Sequence, residues 1–198
     1  MKSSGSFLAL LIAALLFTTG AAQAKTVVLD AGHGGWDRGG VPGDPYPEKI
    51  YTLDVVKRIA DRLKDAGYQV VLTRSDDTFV GLGLRCSIAN SQRGAIFVSI
   101  HFNSAPRTSA NGIETYYYSG KSSGLAAAIH SRVVRAAGTE DRHIRTRGYY
   151  VLRNNALPAV LCECGFLTNP EEGRRIATSA EHRQRLANAV AEGIMARY

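Results

Sequence analysis

The chain has 198 residues, of which 45% are hydrophobic and 21% are charged, and its formal net charge is +7 at pH 7. Its three cysteines, Cys86, Cys162 and Cys164, are an odd number, so at least one thiol is unpaired and a disulfide scaffold is excluded. The lysines and arginines are scattered in short runs, and they form no basic stripe of the kind that predicts nucleic-acid binding.

The first 24 residues have the layout of a secretory signal peptide. One early cation, Lys2, precedes an apolar stretch over residues 7–17, and Ala22-Gln23-Ala24 forms a small-residue cleavage pattern. The apolar stretch is short for a membrane span, although an uncleaved anchor is the alternative. We therefore expect one domain over residues 25–198 without a membrane anchor, exported to the periplasm or, as the second choice, to the extracellular space.

Cleavage would remove only one charged residue and leave a basic domain. An exported basic protein is expected to meet an anionic partner, and a polyanionic envelope polymer fits this charge better than nucleic acid does. The alternative is that the positive charge serves only to keep the protein soluble.

Predicted strands and helices alternate along the mature chain. Hydrophobic periodicity and stop signals predict, in order, a strand over 26–30, a helix over 48–66, a strand over 68–73, a helix over 82–93, strands over 95–101 and 112–118, a helix over 122–137, strands over 149–152 and 159–164, and helices from 170 and over 180–197. This alternation predicts an α/β fold, with a single domain and a twisted, mostly parallel sheet that carries helices on both faces. Ligands of such sheets bind beyond the carboxyl ends of the strands.

A glycine-rich loop, AGHGGWDRGG, follows the first predicted strand. It does not match a nucleotide-binding loop, because position 37 is aspartate where the dinucleotide pattern needs glycine, and no Gly-Lys-Ser/Thr triplet occurs. Asp30 and Asp37 would also repel phosphate. The glycines instead allow a close approach of the backbone around His33, which is the residue of chemical interest here.

His33, Glu48 and His101 form a predicted zinc site. Each lies at the boundary of a predicted element: His33 comes after the first strand, Glu48 begins a helix, and His101 ends a central strand. Two histidines and one carboxylate are a common catalytic zinc set with a fourth position for water. Taken singly, a histidine at a strand end can be structural, and a glutamate at a helix start can serve the helix dipole. The prediction of one Zn²⁺ per chain therefore rests on the set.

Glu163 is the predicted general acid/base. It stands within the predicted strand 159–164, where a buried acid is costly unless it has a function or a partner. Glu114 is a weaker candidate, because strand alternation could place it on either face. The remaining histidines, at positions 130, 143 and 182, are interpreted as surface or structural residues.

Cys162 and Cys164 flank Glu163 and raise the alternative of a thiolate metal site. Alternation along a strand places both thiols on the face opposite to Glu163, which favours apolar packing for them. A bridge from Cys86 to either of them is left open by the sequence.

The motifs resemble those of the zinc-dependent N-acetylmuramoyl-L-alanine amidases of the amidase 3 type, in their catalytic domain alone. The matching segments cover essentially the whole mature chain and are, in order, LDAGHGGWDRGG, Glu48-Lys49, LTRSDD, Arg85 with Ala89-Asn90, SIHFNS, GIETYYY, GYYVLR and PAVLCECGFLTNP. The resemblance implies that His33, Glu48 and His101 bind zinc and that Glu163 is the catalytic acid/base. It implies cleavage of the amide between the lactyl group of N-acetylmuramic acid and L-alanine of the stem peptide.

Some members of that family carry a helical insertion after the second histidine that covers the site until an activator binds. Only a few residues separate SIHFNS from GIETYYY here, so we expect no such helix. Peptidoglycan is the expected partner, and the chain is expected to be a monomer.

Two further residues are candidates for substrate binding. Asn103 follows His101 closely and could steady the oxyanion or the ligands. Arg153 follows the predicted strand 149–152 and could pair with a carboxylate of the stem peptide. Trp36 could stack on a sugar or only pack the loop. The alternative functions are a zinc peptidase that cuts within the stem peptide or cross-bridge, and a non-catalytic wall-binding module.

Overall fold

A computed structural model describes residues 24–41 and 44–198. The predicted signal peptide, residues 1–24, lies outside the described residues except for Ala24 and stays a prediction. Within the described ranges, no helix combines the length and the apolar character that a membrane crossing requires.

The described residues form six strands and six α-helices, which alternate for most of the chain. In chain order these are β1 (Thr26–Ala31), α1 (Glu48–Asp65), β2 (Gln69–Leu72), α2 (Leu82–Asn90), β3 (Ile96–Asn103), β4 (Ile113–Tyr117), α3 (Ser123–Ala137), β5 (Asp141–Thr146), α4 (Tyr150–Arg153), β6 (Ala159–Phe166), α5 (Pro170–Thr178) and α6 (Ala180–Arg197).

The six strands form one sheet in the order β2-β1-β3-β6-β4-β5. The four strands β2, β1, β3 and β6 run parallel, β4 is antiparallel to β6, and β5 is parallel to β4. The predicted α/β fold, a single domain with a mostly parallel sheet, is confirmed.

Helices cover both faces of this sheet, as expected. One face packs against α1, α3 and α6, and alternate residues of β3 such as Ile96, Val98 and Ile100 lie in that core. The other face packs against α2 and α4, where Phe97 and Leu161 are buried. Because strand side chains alternate, the polar residues of β1, β3, β4 and β6 that share the second face lie together towards the carboxyl ends of β1, β3 and β6.

Two secondary-structure predictions are wrong. The expected strand over 149–152 is the short helix α4, in which Val151 and Leu152 are buried against the sheet. A short apolar run fits a buried helical turn as well as a strand, so periodicity does not separate the two. The edge strand β5 is missed because its sequence, DRHIRT, is polar. Charged residues on an edge strand protect it from pairing with other chains, and they also hide the strand from a hydrophobicity pattern.

The connection from β3 to β4 is short, as the sequence predicts. Residues 104–112, all described, contain no helix. The cleft next to β3 is therefore not covered by a helical insertion at this point of the chain.

Candidate metal-dependent active site

The three predicted metal ligands converge in space. Nε2 of His33 lies 3.0 Å from Oε2 of Glu48, and Nδ1 of His101 lies 2.8 Å from Oε1 of the same carboxylate. One ligand atom from each of the three residues lies within 4.8 Å of the other two. The fold explains this, because β1 and β3 are neighbours in the sheet and α1 begins at Glu48 beside the loop that follows β1.

The glycines of the loop leave space for these ligands. A Cβ atom on Gly39 would lie 2.5 Å from Oε2 of Glu48 and 2.6 Å from the ring of His33, and a Cβ on Gly32 would overlap the ring of His101. Gly39 also has φ +70°, in the left-handed region that favours glycine. The glycines of this loop therefore allow the side chains of the three candidate ligands to pack close to its backbone.

Further groups hold the ligands in orientation. Nδ1 of His33 lies 2.9 Å from the carboxylate of Asp37, while the backbone N–H groups of Gly40 and Phe102 donate to the two oxygens of Glu48 at 3.1 and 3.0 Å. Metal-binding histidines commonly have such a carboxylate on the second ring nitrogen. This role of Asp37 is not among the predictions from sequence, although its spacing of four residues from His33 within one loop is a usable signal.

Glu48 keeps its charge although it is buried. Burial would raise the pKa of its carboxyl, but hydrogen bonds to His101 and His33 hold that pKa at about 2. The effect on His101 is the reverse: burial would lower the pKa of its ring, and the hydrogen bond to Glu48 raises it to about 9. A site that stabilises positive charge against Glu48 is suited to hold a cation. The convergent N, N and O donors fit the preference of catalytic zinc.

Two buried arginines fasten the loop that carries His33. Arg85 of α2 donates to the carboxylate of Asp30 at 2.6 Å and to the backbone carbonyls of Ala31 and His33 at 2.6 and 2.7 Å. Arg74 donates to the carbonyl of Ala31 at 2.9 Å. His33 has φ +61°, which costs a residue with a Cβ about 1–2 kcal/mol, so these contacts hold a strained candidate ligand in place.

Asp30 is the charged partner of this anchor. Burial would raise the pKa of its carboxyl, but the guanidinium of Arg85 and hydrogen bonds from Thr73 and Ser99 keep that pKa below its usual value. The signal for this network in the sequence was an acid at the end of an apolar strand and an arginine within an apolar helix. Their pairing depends on how α2 packs against β1, which neither signal reveals by itself.

Glu163 lies beside the ligand set. It is the register partner of His101 on the adjacent parallel strand and faces the same cleft. Among the described residues, its Oε2 atom is buried and has no hydrogen-bond partner. Burial, together with the charges of Glu48 and Glu114, raises the pKa of Glu163 to about 7 against the opposing effect of His101. A carboxyl group of this kind can both accept and release a proton near neutral pH.

Glu114 is on the same face but its oxygens are already engaged. It is the cross-strand partner of Glu163 on β4, and its carboxylate accepts hydrogen bonds from Asn103 at 2.9 Å, Tyr116 at 2.6 Å and Arg142 at 3.1 Å. The structure therefore separates the two acids that the sequence left as candidates. Glu114 holds neighbours in place, whereas Glu163 has an oxygen available for chemistry.

An open cleft of about 610 Å³ contains these groups. His33, Glu48, His101, Glu163 and Asn103 all line it. Asn103 donates from Nδ2 to Glu114, and its contact with a substrate stays a prediction. Arg153 is exposed at the end of α4 and is absent from the described lining of the cleft. The strand on which the interpretation of Arg153 relied is not formed.

The other residues singled out in the sequence have structural positions. Cys162 and Cys164 are buried in the core on the opposite face from Glu163, as strand alternation predicts. Cys86 is packed in the core on the other side of the sheet, and the three cysteines, all of them described, are unpaired. His130 is buried between Thr115 and Asp141, at 3.0 and 2.8 Å, which fits a structural role.

Comparison with known proteins gives a consistent result. The family model Amidase_3, described as N-acetylmuramoyl-L-alanine amidase, matches residues 27–196. The N-acetylmuramoyl-L-alanine amidase LytC of Bacillus subtilis is 35% identical over 178 residues, which are 88% of this chain and 36% of LytC. The uncharacterized protein YqiI of the same organism is 40% identical over 180 residues, which are 89% of this chain and 86% of YqiI.

The fold agrees with solved amidase structures. The catalytic domain of CwlV, an N-acetylmuramoyl-L-alanine amidase from Bacillus (Paenibacillus) polymyxa var. colistinus, superposes with a TM-score of 0.83 at 38% identity, covering 87% of this chain and 97% of that domain. The chain thus spans about a third of LytC but nearly all of the CwlV catalytic domain. With a family match over most of its length and the fold of that domain, the chain belongs to the Amidase_3 family of N-acetylmuramoyl-L-alanine amidases.

Proposed function

We propose that this protein hydrolyses the amide bond between the lactyl group of N-acetylmuramic acid and L-alanine of the peptidoglycan stem peptide. The observation that carries the proposal is the convergence of His33, Glu48 and His101 in one cleft, with the unpartnered carboxyl oxygen of Glu163 beside them. Membership of the amidase family supports this reaction over the other chemistry that a zinc site can perform.

His33, Glu48 and His101 would hold one Zn²⁺ per chain. When bound, the ion supplies Lewis-acid polarisation of the amide carbonyl and lowers the pKa of water at the site. The protein fixes the donor atoms through Asp37 on His33 and through two backbone N–H groups on Glu48. This support lets the ligands stay in position without rearrangement during turnover.

Glu163 acts as the general acid/base. Its carboxylate accepts a proton from the attacking water and delivers that proton to the alanine nitrogen as the C–N bond breaks. The new lactyl carboxyl group gives the second proton of the water to the alanine amine, so the products are a lactyl carboxylate on the sugar and a peptide with an alanine ammonium group, and atoms and charges balance. Glu163 is half-buried at the wall of the cleft, which limits the access of bulk water to the transferred proton.

Asn103 and Arg153 have unequal support as substrate contacts. Asn103 lines the cleft, and the contact of its Nδ2 with Glu114 fixes the side chain next to the reacting groups. Its role in the proposal is to position neighbours and to meet the substrate at the wall of the cleft. Arg153 is exposed at the end of α4, so it would contact only a stem peptide that extends beyond the cleft.

The site of action follows from the substrate. Peptidoglycan lies outside the cytoplasmic membrane, and the signal-peptide pattern in residues 1–24 agrees with export. We place the mature protein in the periplasm, with the extracellular space as the second choice, acting as a monomer on peptidoglycan. Nucleic acid is not a proposed partner.

The test is a product analysis. Zinc-loaded protein is incubated with purified peptidoglycan, and the soluble products are identified by mass spectrometry and by labelling of new amino termini. Peptides that begin with a free L-alanine amine, together with sugar strands that have lost their peptides, are the expected result. Glu163→Gln and a chelator-treated sample are the negative controls.

Other products would contradict the proposal in distinct ways. Shortened peptides that remain attached to sugar would identify a peptidase that cuts within the stem peptide or cross-bridge. Binding to peptidoglycan without any release, by protein that has bound zinc, would identify a wall-binding module.

A further inference from the structure

The exposed apolar side chains are concentrated around the cleft that holds the candidate metal ligands. The described residues include nine large hydrophobic side chains that are exposed, and six of them line this one cleft. A concentration of exposed apolar surface at one place marks a binding site more often than a scattered distribution does. The six are Trp36, Val41, Phe79, Leu82, Tyr149 and Tyr150.

Trp36 and Phe79 form a stacked pair at this surface, here named the aromatic platform. Their ring centroids are 4.3 Å apart and their planes are inclined by 29°. Trp36 is 78% exposed and Phe79 is 40% exposed. Phe79 therefore covers one face of the Trp36 ring and leaves the other face to solvent. A tryptophan offers one of the largest apolar surfaces of any side chain, and leaving it in water forgoes that stabilisation.

The platform is held in this exposed position by its backbone. Trp36 is in a tight turn closed by two backbone hydrogen bonds between Gly34 and Asp37, at 3.0 and 3.2 Å. Lys49 donates to the carbonyl of Gly35 and to the carboxylate of Asp77, each at 2.6 Å, which ties the turn to the segment that carries Phe79.

Gly35 brings the two segments into contact. A Cβ on Gly35 would lie 2.8 Å from the backbone nitrogen of Phe79, so only glycine allows this approach. The aromatic surface is therefore pre-organised, which lowers the entropy cost of binding a ligand on it.

The platform is adjacent to the reacting groups. Trp36 is three residues after His33 and directly precedes Asp37, the carboxylate that contacts His33. In the proposed reaction only the lactyl group separates the sugar ring from the scissile amide. A sugar whose lactyl amide lies at the ligand set is therefore expected in the same cleft, which Trp36 and Phe79 also line.

We propose that the aromatic platform, Trp36 stacked on Phe79, is a carbohydrate subsite that binds an N-acetylhexosamine ring of the glycan strand. This inference rests on the proposed function. The apolar C–H face of a pyranose ring matches the flat face of an indole. The sugar carries no charge at this point, because its lactyl carboxyl is part of the amide, so an uncharged aromatic surface suits it.

A second depression supports a polymeric ligand. Trp36 also lines a neighbouring depression of about 470 Å³, next to Asp44 and Tyr46. The platform thus stands where two depressions meet. A chain of linked sugars can cross the platform, whereas a single small ligand would need only one of the two.

The chain contains a single tryptophan, so its fluorescence reports directly on the platform. The probes are the β-1,4-linked tetramer of N-acetylglucosamine, which has no peptide, and the tripeptide L-alanyl-γ-D-glutamyl-L-lysine, which has no sugar. We expect the tetramer, and not the tripeptide, to change the emission in a saturable way, with or without zinc. Phe79→Ala should weaken tetramer binding by up to roughly tenfold, as for the loss of one aromatic pair.

Kinetics on disaccharide-peptide fragments give an independent readout. Trp36→Ala should raise KM by roughly tenfold and leave kcat little changed, and Trp36→Tyr should recover most of the loss. Tyr118→Ala is the matched control, because Tyr118 is 48% exposed and lies outside the described lining of the cleft. Thermal melting confirms that each variant is folded.

The outcomes separate this inference from the proposed function. Amide cleavage by the wild type, with no fluorescence response to the tetramer and an unchanged KM for Trp36→Ala, would overturn the subsite. A response to the tripeptide alone would assign the platform to peptide and overturn it as well. A saturable response to the tetramer without any release of alanine peptides would support the subsite and would contradict the proposed amidase reaction.

Discussion

Glu163 and His101 are register partners on the neighbouring parallel strands β6 and β3. Parallel strands place such partners side by side on one face, so Glu163 and the candidate metal ligand His101 meet without any contribution from a flexible loop. The third strand of this face, β4, brings Glu114 opposite Glu163. The sheet thus sets two carboxyl groups and one ligand in a row, and only Glu163 has an oxygen that is buried and unpartnered among the described residues.

This arrangement separates catalysis from metal binding. We expect Glu163→Gln to lower kcat by about 10² to 10⁴-fold, the usual contribution of a general acid/base, while zinc stays bound at one per chain. His33→Ala should lose both zinc and activity. Zinc content is measured by atomic absorption on the same samples that are assayed for release of alanine peptides.

Glu114→Gln is the comparison for that experiment. Its carboxylate accepts hydrogen bonds from Asn103, Tyr116 and Arg142, so it positions neighbours and transfers no proton. Its loss of kcat should be clearly smaller than that of Glu163→Gln. A larger loss for Glu114→Gln would exchange the roles of the two acids.

Gly39 tests the role of the glycine-rich loop. We expect Gly39→Ala to weaken zinc binding by at least about tenfold, because its Cβ would lie 2.5 Å from Oε2 of Glu48 and would push the ligand aside. Zinc affinity is measured by competition with a chromogenic chelator.

Gly67→Ala is the matched control. Gly67 has φ +84°, and a Cβ there would meet nothing within 4 Å. Both variants carry a similar backbone cost of about 1–2 kcal/mol, so only the contact with the ligands differs between them. Unchanged zinc affinity in Gly39→Ala would show that the loop has room to adjust.

Arg85 and Asp30 form a buried ion pair next to the loop that carries His33. We expect Arg85→Ala to lower the free energy of unfolding by about 3–5 kcal/mol, because Asp30 would keep a buried charge without its partner. Urea unfolding at pH 7 measures this change. Glu181→Ala, which removes an exposed ion pair with Arg185 on α6, should cost less than about 1 kcal/mol. Similar losses for the two variants would mean that the buried pair contributes no more than a surface one.

The ligand set could be predicted because each member depends on the position of one element. His33 and His101 follow from strands that are visible as apolar runs, and Glu48 follows from the start of an amphipathic helix. The rule that ligands gather at the carboxyl ends of parallel strands then brings them together without knowledge of the register.

The contacts between loops could not be predicted in this way. The stacking of Trp36 on Phe79 depends on the path of two irregular segments, for which periodicity carries no information. The different surroundings of Glu163 and Glu114 depend on the pairing of β4 with β6. They also depend on the hydrogen bond that Arg142, on the missed strand β5, donates to Glu114. The predicted strand before Arg153 is a helix, whereas the role of Arg153 as a substrate contact stays a prediction.

His182 makes the stability of the fold sensitive to acid. Its side chain is buried at the start of α6, and burial, reinforced by the charges of Arg175, Arg185 and Arg183, lowers the pKa of its ring from 6.5 to about 4. Between these two values the unfolded chain binds a proton that the folded chain does not, so stability is full above pH 6.5 and falls as the pH drops towards 4. We expect the titration of His182 alone to lower the free energy of unfolding by roughly 2 kcal/mol over that interval.

Urea unfolding at about pH 7, 5.5 and 4.5, which covers most of the interval between the two pKa values, isolates the contribution of His182. Glutamine does not titrate in this pH range. The variant His182→Gln should therefore lose less stability on acidification than the wild type, even though other groups titrate in both proteins. His143→Gln is the matched control, because His143 is 77% exposed, and it should keep the wild-type loss. Parallel curves for the wild type and His182→Gln would show that acid acts on the fold elsewhere.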